Sequence, residues 1–329
     1  TTDMTDAWGL MLADAGRGKW SDELCTIAGL DSRVLPNIVN STSVTGVVTA
    51  KAAAITGLQA GTPVVCGSSD TNAETYAAGL TRPGIGAFKL ATAGTVSTLT
   101  ATPQFSDDVI HYPHLMPGHY YAILGTNSCA SAHRWLRDTL FAQIGFDGMD
   151  QLACQAPAGS EGLLFHPYLN GERSPYWDPD LRASFVGLGF QHSAAHFCRA
   201  LYEGIAYTLR DCLSVLHTRD MGFDTARLVG GGTRSALWQQ IIADVTGLAI
   251  EIPAEGDASY GAALIAGIGV EIFADANDAA RAIRVIKTLR PNTALASEYD
   301  TGFARFRAAK EALTPVNHLT VAAIRETTR

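Results

Sequence analysis

The sequence predicts an α/β fold built on a mixed sheet, and three observations lead there. A strand–turn–strand pattern at Ala87–Leu99 comes early, and the segments after it alternate strand-like and helical patterns. The stretch from about Ser193 to His217 carries Phe197, Leu201, Ile205, Leu209, Leu213 and Leu216 at three- and four-residue spacing, which is one apolar helix face. Gly230-Gly231-Gly232 lies between a strand-like run and a helical one, a typical α/β connection. With 329 residues and 47% hydrophobic content, the chain can bury a large core and is expected to form two domains.

Taken in order, Met4 to Ala13 reads as a short helix or strand, and Ser21-Asp22-Glu23 as the acidic start of a helix. Ala50–Thr56 reads as helix. Val64-Val65-Cys66 reads as a buried strand ended by Gly67, with a helix from Thr71 onward. Arg82-Pro83-Gly84 punctuates the chain. The hairpin Ala87–Ala91 and Val96–Leu99 then turns at Thr92-Ala93-Gly94-Thr95, and Tyr120–Leu124 adds a strand. Helices are expected at about 129–143 and 148–155, and a strand at Gly162–Phe165 leads into the polar loop Asn170–Pro175. After the long helix come a strand at Ala226–Val229, a helix from Ser235 to Thr246 and a strand at Ala249–Ile252. Helices near 259–268, 277–288 and 298–313 follow.

A net charge of −8 and a pI near 5.5, with no block of Lys or Arg, argue against nucleic acid or anionic membrane surfaces as partners. No apolar run reaches the ~18 residues of a transmembrane helix. Six cysteines are scattered without a C-x-x-C pair, which suits free thiols in a reducing cytoplasm. The opening Thr1-Thr2-Asp3-Met4 lacks an initiator Met, as expected of a fragment or a processed chain.

Asp70 sits in the strand-to-helix turn at the carboxyl end of a strand, where open α/β sheets take ligands. A lone carboxylate there suits a general base for a hydroxyl; an N-cap for its own helix is the plainer alternative. Thr92-Ala93-Gly94-Thr95 offers hydroxyls and amides for phosphate oxygens, or is an ordinary hairpin turn. The glycine triplet lets backbone approach a flat ligand such as a nucleotide, or is only a flexible connection. No Walker or dinucleotide fingerprint is present. His111, His114 and His119 lack acidic companions at ligand spacing and read as surface or loop histidines. Glu172-Arg173 reads as a structural ion pair, with an arginine able to meet a phosphate as the alternative. Base, phosphate turn and glycine loop together describe phosphoryl transfer from a nucleotide to an alcohol.

These residues resemble the FGGY carbohydrate kinases, most closely their xylulokinase-like branch, in order over nearly the whole chain. Thr2–Ala7 through Trp20–Leu24 is similar to the segment before the family's catalytic Asp, and Gly67–Ala73 matches that Asp at Asp70. Lys89–Thr95 is similar to the second phosphate hairpin, and Asn170–Pro179 to the G-E-R-[ST]-P loop. Ala183–Leu188 with His196–Glu203 nearly fits the C-terminal signature. Gly230–Ser235 with Trp238 and Gln239 is similar to the adenosine motif, and Gly261-Ala262-Ala263 to the small-residue helix after it.

The resemblance implies an actin/hexokinase/Hsp70-like (ribonuclease H-like) ATPase fold, closing on ATP with Mg²⁺ and a sugar. It implies Asp70 as base, Thr92, Gly94 and Thr95 on the phosphates, and Gly231, Gly232 and Ser235 on the adenosine, with Ser235 standing where glycerol kinases carry Asn. Residues 1–82 would be the later portion of domain I and 83–329 a nearly complete domain II. The opening segment, with its D-x-G-T loop, its aid to Mg²⁺ and most sugar contacts, is absent, so the chain assigns no metal ligand of its own and by itself is expected to be inactive. The implied reaction is D-xylulose to xylulose 5-phosphate; ribulose, glycerol or erythritol as acceptor, or a non-catalytic ATP-binding module, are the alternatives. Family members are often dimers, which makes a homodimer the implied assembly.

Overall fold

In the computed structural model, which describes residues 1–14, 16–104 and 106–327, the hairpin at Ile85–Leu90 and Gly94–Thr100 is the middle of a seven-stranded sheet. The strand order is Val285–Leu289, Ala249–Pro253, Thr225–Val229, Ile85–Leu90, Gly94–Thr100, Tyr120–Gly125, Ile110–Pro113. Thr225–Val229 runs parallel to both of its neighbours, and the remaining pairs are antiparallel. The sheet is therefore mixed, as the element pattern predicts.

Alternation along the strands assigns each face. Phe88, Leu90, Val96 and Leu124 join the large core, which takes its other side from the helices Ala130–Leu140, Phe146–Ala153, Ala194–Thr218 and Ala236–Thr246. The predicted apolar stripe is where that core forms: Leu201, Ile205, Leu209, Leu213 and Leu216 are all buried. On the opposite face Leu99 packs with Tyr76 and Leu264, and Ala87 with Ala78 and Leu80. The short helix Asp70–Ala77 therefore lies over the hairpin, held there by the helix Ala258–Gly269. That crossing is close: a Cβ on Gly261 would lie 2.0 Å from the Ala73 carbonyl oxygen.

Several expectations need correction. Pro63–Val65 is a strand, but it pairs only with Val44–Val47 in a separate two-stranded sheet, and Val44, Val47 and Val64 are exposed. A run of valines signals a strand; whether another element covers it is a tertiary matter, and here the end of the Ala258–Gly269 helix packs on Val65, 2.7 Å from a Cβ placed on Gly269, while Val64 stays exposed. The expected helix at 277–288 is a short helix, Ala276–Ala280, followed by the edge strand Val285–Leu289, where β-branched Val285, Ile286 and Thr288 suit a pleated edge. Ile110–Pro113 and Ser184–Val186 are strands that short apolar runs did not announce. The last helix runs from Ala296 to Thr327, well beyond residue 313. It reaches back to the polar loop, where His318 Nε2 meets Asp178 at 2.7 Å and Arg325 meets Asp180 at 2.6 Å. No helix among the described residues is long and apolar enough to cross a membrane.

Candidate active site

The cap of the Asp70–Ala77 helix is Ser69, whose Oγ accepts from the Asn72 amide at 3.4 Å. Asp70 is thus the first helical residue and not the N-cap. Among the described residues its carboxylate bonds only locally, accepting from the Thr71 amide at 2.6 Å and the Thr71 hydroxyl at 3.2 Å. It remains exposed and lines a cavity of about 320 Å³ with Asp6, Thr95 and Arg173. The helix start is fixed from behind: Asn72 Nδ2 donates to Ser68 at 2.7 Å and to Thr5 at 3.1 Å, and Ser68 donates to the buried Asp3 carboxylate at 2.6 Å. Partial desolvation, then the charges of Asp3 and Asp70, push the Asp6 carboxyl upward.

The turn of the hairpin is tighter than the sequence suggests, because Leu90 pairs with Gly94. Gly94 and Thr95 therefore begin a strand. Gly94 is buried and donates its amide to Thr126 Oγ1 at 3.1 Å, while Thr92 is exposed at the tip and Thr95 lines the Asp70 cavity. Lys89, opposite Thr95, forms an ion pair at 2.5 Å with Glu74, one turn along the Asp70 helix. Nothing in the sequence marks that pair.

Parallel pairing of Val229 with Lys89 places the glycine loop beside the hairpin tip. Gly230 adopts φ +92°, and a Cβ there would lie 2.6 Å from the Leu90 carbonyl oxygen, so only glycine lets the two loops touch. Gly231, Gly232 and Ser235 line a cavity of about 440 Å³ with His133, Phe146 and Trp238. The Ser235 hydroxyl accepts from the Trp238 amide at 3.0 Å and caps the following helix. Tyr202 braces the wall from behind, bonding both His133 and Asp150.

Glu172 and Arg173 form no ion pair. Glu172 is 2% exposed, and its Oε1 accepts the amides of Asn127 at 2.6 Å and Arg173 at 2.8 Å. Burial raises its carboxyl to about 7, against the opposing pull of those two amides and the Arg173 charge. His111 and His114 are buried rather than at the surface, and burial drives His114 down to about 3.

The sequence profile for the N-terminal domain of the FGGY family of carbohydrate kinases matches residues 1–76, and that for its C-terminal domain matches residues 87–270. The chain belongs to the FGGY family of carbohydrate kinases. A xylulose kinase of Lactococcus lactis subsp. lactis is 32% identical over 83% of this chain and 55% of its own length. The crystal structure of xylulose kinase from Rhodospirillum rubrum superposes with TM-score 0.85 at 32% identity, over 97% of this chain and 65% of that one. A gluconate kinase from Lactobacillus acidophilus gives TM-score 0.88 at 27% identity, over 95% and 64%. This FGGY chain thus has the actin/hexokinase-like fold and spans between half and two thirds of the length of these relatives.

The FGGY family implies ATP and Mg²⁺. The glycine-lined cavity fits a nucleotide: a Cβ on Gly231 would meet open space, so the backbone there is accessible to a flat ligand. No group of three or more His, Cys, Asp or Glu that could hold a metal occurs among the described residues; Mg²⁺ bound with a nucleotide takes most of its ligands from phosphate oxygens and water.

Proposed function

We propose that the polypeptide containing this chain phosphorylates a sugar hydroxyl at the expense of ATP, with D-xylulose as the first candidate acceptor and Asp70 as general base. The observation that carries the reading is Asp70 itself, an exposed carboxylate at a helix start, sharing its cavity with Thr95 of the hairpin. ATP supplies the phosphoryl electrophile: the sugar oxygen bonds to the γ-phosphorus as the bond to the β,γ-bridging oxygen breaks and ADP leaves. Asp70 accepts the proton of the sugar hydroxyl. Thr92 and Thr95 offer hydroxyls to phosphate oxygens, and buried Gly94 shapes the turn between them. Gly231, Gly232 and Ser235 form the floor for adenosine, with Trp238 beneath. The division at residues 1–82 and 83–329, with the cleft between them, belongs to the same proposal, as do a cytoplasmic setting for the free thiols and a homodimer.

Gluconate is the second candidate acceptor, because a cationic side chain, Arg173, stands in the same cavity and a gluconate kinase is among the structural neighbours. The test is ADP release from the longest reading frame encoding this chain, across D-xylulose, gluconate, ribulose, glycerol and erythritol. Asp70→Asn is expected to lower kcat by about 10²–10⁴-fold with ATP binding retained. Near-parental turnover in that variant removes Asp70 from the mechanism, and ATP binding without turnover on any acceptor supports a non-catalytic module.

A further inference from the structure

Arg173 is exposed, yet its backbone is tied down between buried Glu172 and Ser174. Its backbone amide is held by the buried Glu172 carboxylate at 2.8 Å, and the same oxygen holds Asn127 at 2.6 Å, which ties the loop to the end of the Tyr120–Gly125 strand. Glycine at 125 lets the guanidinium lie close against the strand end: a Cβ there would lie 2.7 Å from Arg173 Nη2. That nitrogen donates to the Thr126 carbonyl at 3.2 Å, its only side-chain hydrogen bond among the described residues. No carboxylate among the described residues lies within ion-pair distance of it, although Asp70 and Asp6 line the same cavity. A positioned guanidinium with free donors, facing a cavity shared with a general base and a phosphate hairpin, is matched to a multi-oxygen anion.

We propose that Arg173 grips the phosphoryl group during transfer, from the sheet side of the cavity and opposite the Asp70 helix. This rests on the phosphoryl-transfer reading above. As the sugar oxygen–phosphorus bond forms, the bond to the bridging oxygen breaks and the sugar proton passes to Asp70. Arg173 hydrogen-bonds the non-bridging oxygens and keeps its own proton throughout. It acts on the charge that spreads over those oxygens, so its effect falls on kcat.

The test uses the longest reading frame encoding this chain, with R173Q and R173K, D-xylulose and gluconate as acceptors, and tripolyphosphate titrated calorimetrically. R173Q is expected to lower kcat on D-xylulose by about 10³-fold, with the acceptor KM within about threefold. R173K recovers a minor part, because an ammonium cannot reproduce the fork, and added guanidinium ion restores at least about tenfold. An unchanged kcat in R173Q overturns the proposal. So does a raised KM for gluconate alone with D-xylulose turnover intact, which would make Arg173 a reader of substrate carboxylate. If the parent turns over no acceptor, the kinase reading fails on its own. The titration then judges Arg173: tripolyphosphate binding at least tenfold weaker in R173Q supports it as a phosphate grip, and equal binding overturns it.

Discussion

Gly261→Ala probes the contact that holds the proposed base against the sheet. The added Cβ would lie 2.0 Å from the Ala73 carbonyl oxygen, 2.5 Å from its carbon and 2.9 Å from its Cα. All three are backbone atoms of the Asp70–Ala77 helix, so no rotamer change relieves the overlap. Carbon and oxygen settle at about 3.3 Å or more, so the two helices must part by about 1 Å. Overpacking of this kind costs about 1–3 kcal/mol, and with backbone as the obstacle the upper half of that range applies. Gly261 lies inside the Ala258–Gly269 helix, where alanine returns about 1 kcal/mol of propensity, leaving a net loss of about 1–2 kcal/mol. The displaced helix carries Asp70 away from Thr95 and Arg173, and a shift of about 1 Å at a reacting group costs up to about 10² in kcat. Urea unfolding followed by tryptophan fluorescence reads the first effect, and ADP release reads the second. Gly46→Ala is the control: a Cβ there meets nothing within 4 Å, so stability should hold within about 0.5 kcal/mol. Equal unfolding midpoints and turnover in Gly261→Ala and the parent would refute the reasoning, since both losses follow from one overlap.

Two further outcomes are expected. The Glu172 carboxyl, at about 7 in the folded chain against an ordinary 4.5, stabilises the fold in its neutral form. That contribution is complete below about pH 4.5 and is lost as pH rises through about 7, a swing of about 3 kcal/mol by linkage. Glu172→Gln keeps an oxygen for the Asn127 and Arg173 amides, so its unfolding midpoint should gain on the parent's between pH 5 and 8; parallel curves would show that Glu172 titrates as an ordinary carboxyl. Among the thiols, Cys154 is exposed and Cys66 half-buried, whereas Cys25, Cys129, Cys198 and Cys212 are buried, with Cys129 and Cys198 raised to about 12. A disulfide-exchange reagent on the native chain should therefore meet one fast thiol and one slower one, the rest reacting only on unfolding. A third fast thiol would contradict this packing.

Much of the molecule was legible without coordinates wherever the signal is local. The apolar spacing from Phe197 to Leu216 marks a buried helix because three- and four-residue steps share one face, and that helix forms the centre of the core. Family membership was legible too, since the order of short motifs survives in the text. The valines at 64 and 65 and the stretch at 277–288 misled, because burial and pairing partner depend on segments far away in the chain.

The sequence alone determined the elements, the motif order and the residue types able to do phosphoryl chemistry. Only tertiary structure decided which of them meet. Parallel pairing of Thr225–Val229 with Ile85–Leu90 brings the glycine loop to the hairpin tip, and the Gly261–Ala73 crossing lays Asp70 over Thr95. Buried Glu172 turns an expected ion pair into a mount for Arg173. Helix and turn signals are written within a few residues because backbone hydrogen bonds there are local. Convergence of residues 70, 95 and 173 on one cavity arises instead from burying both faces of one sheet, a condition no short window of sequence contains.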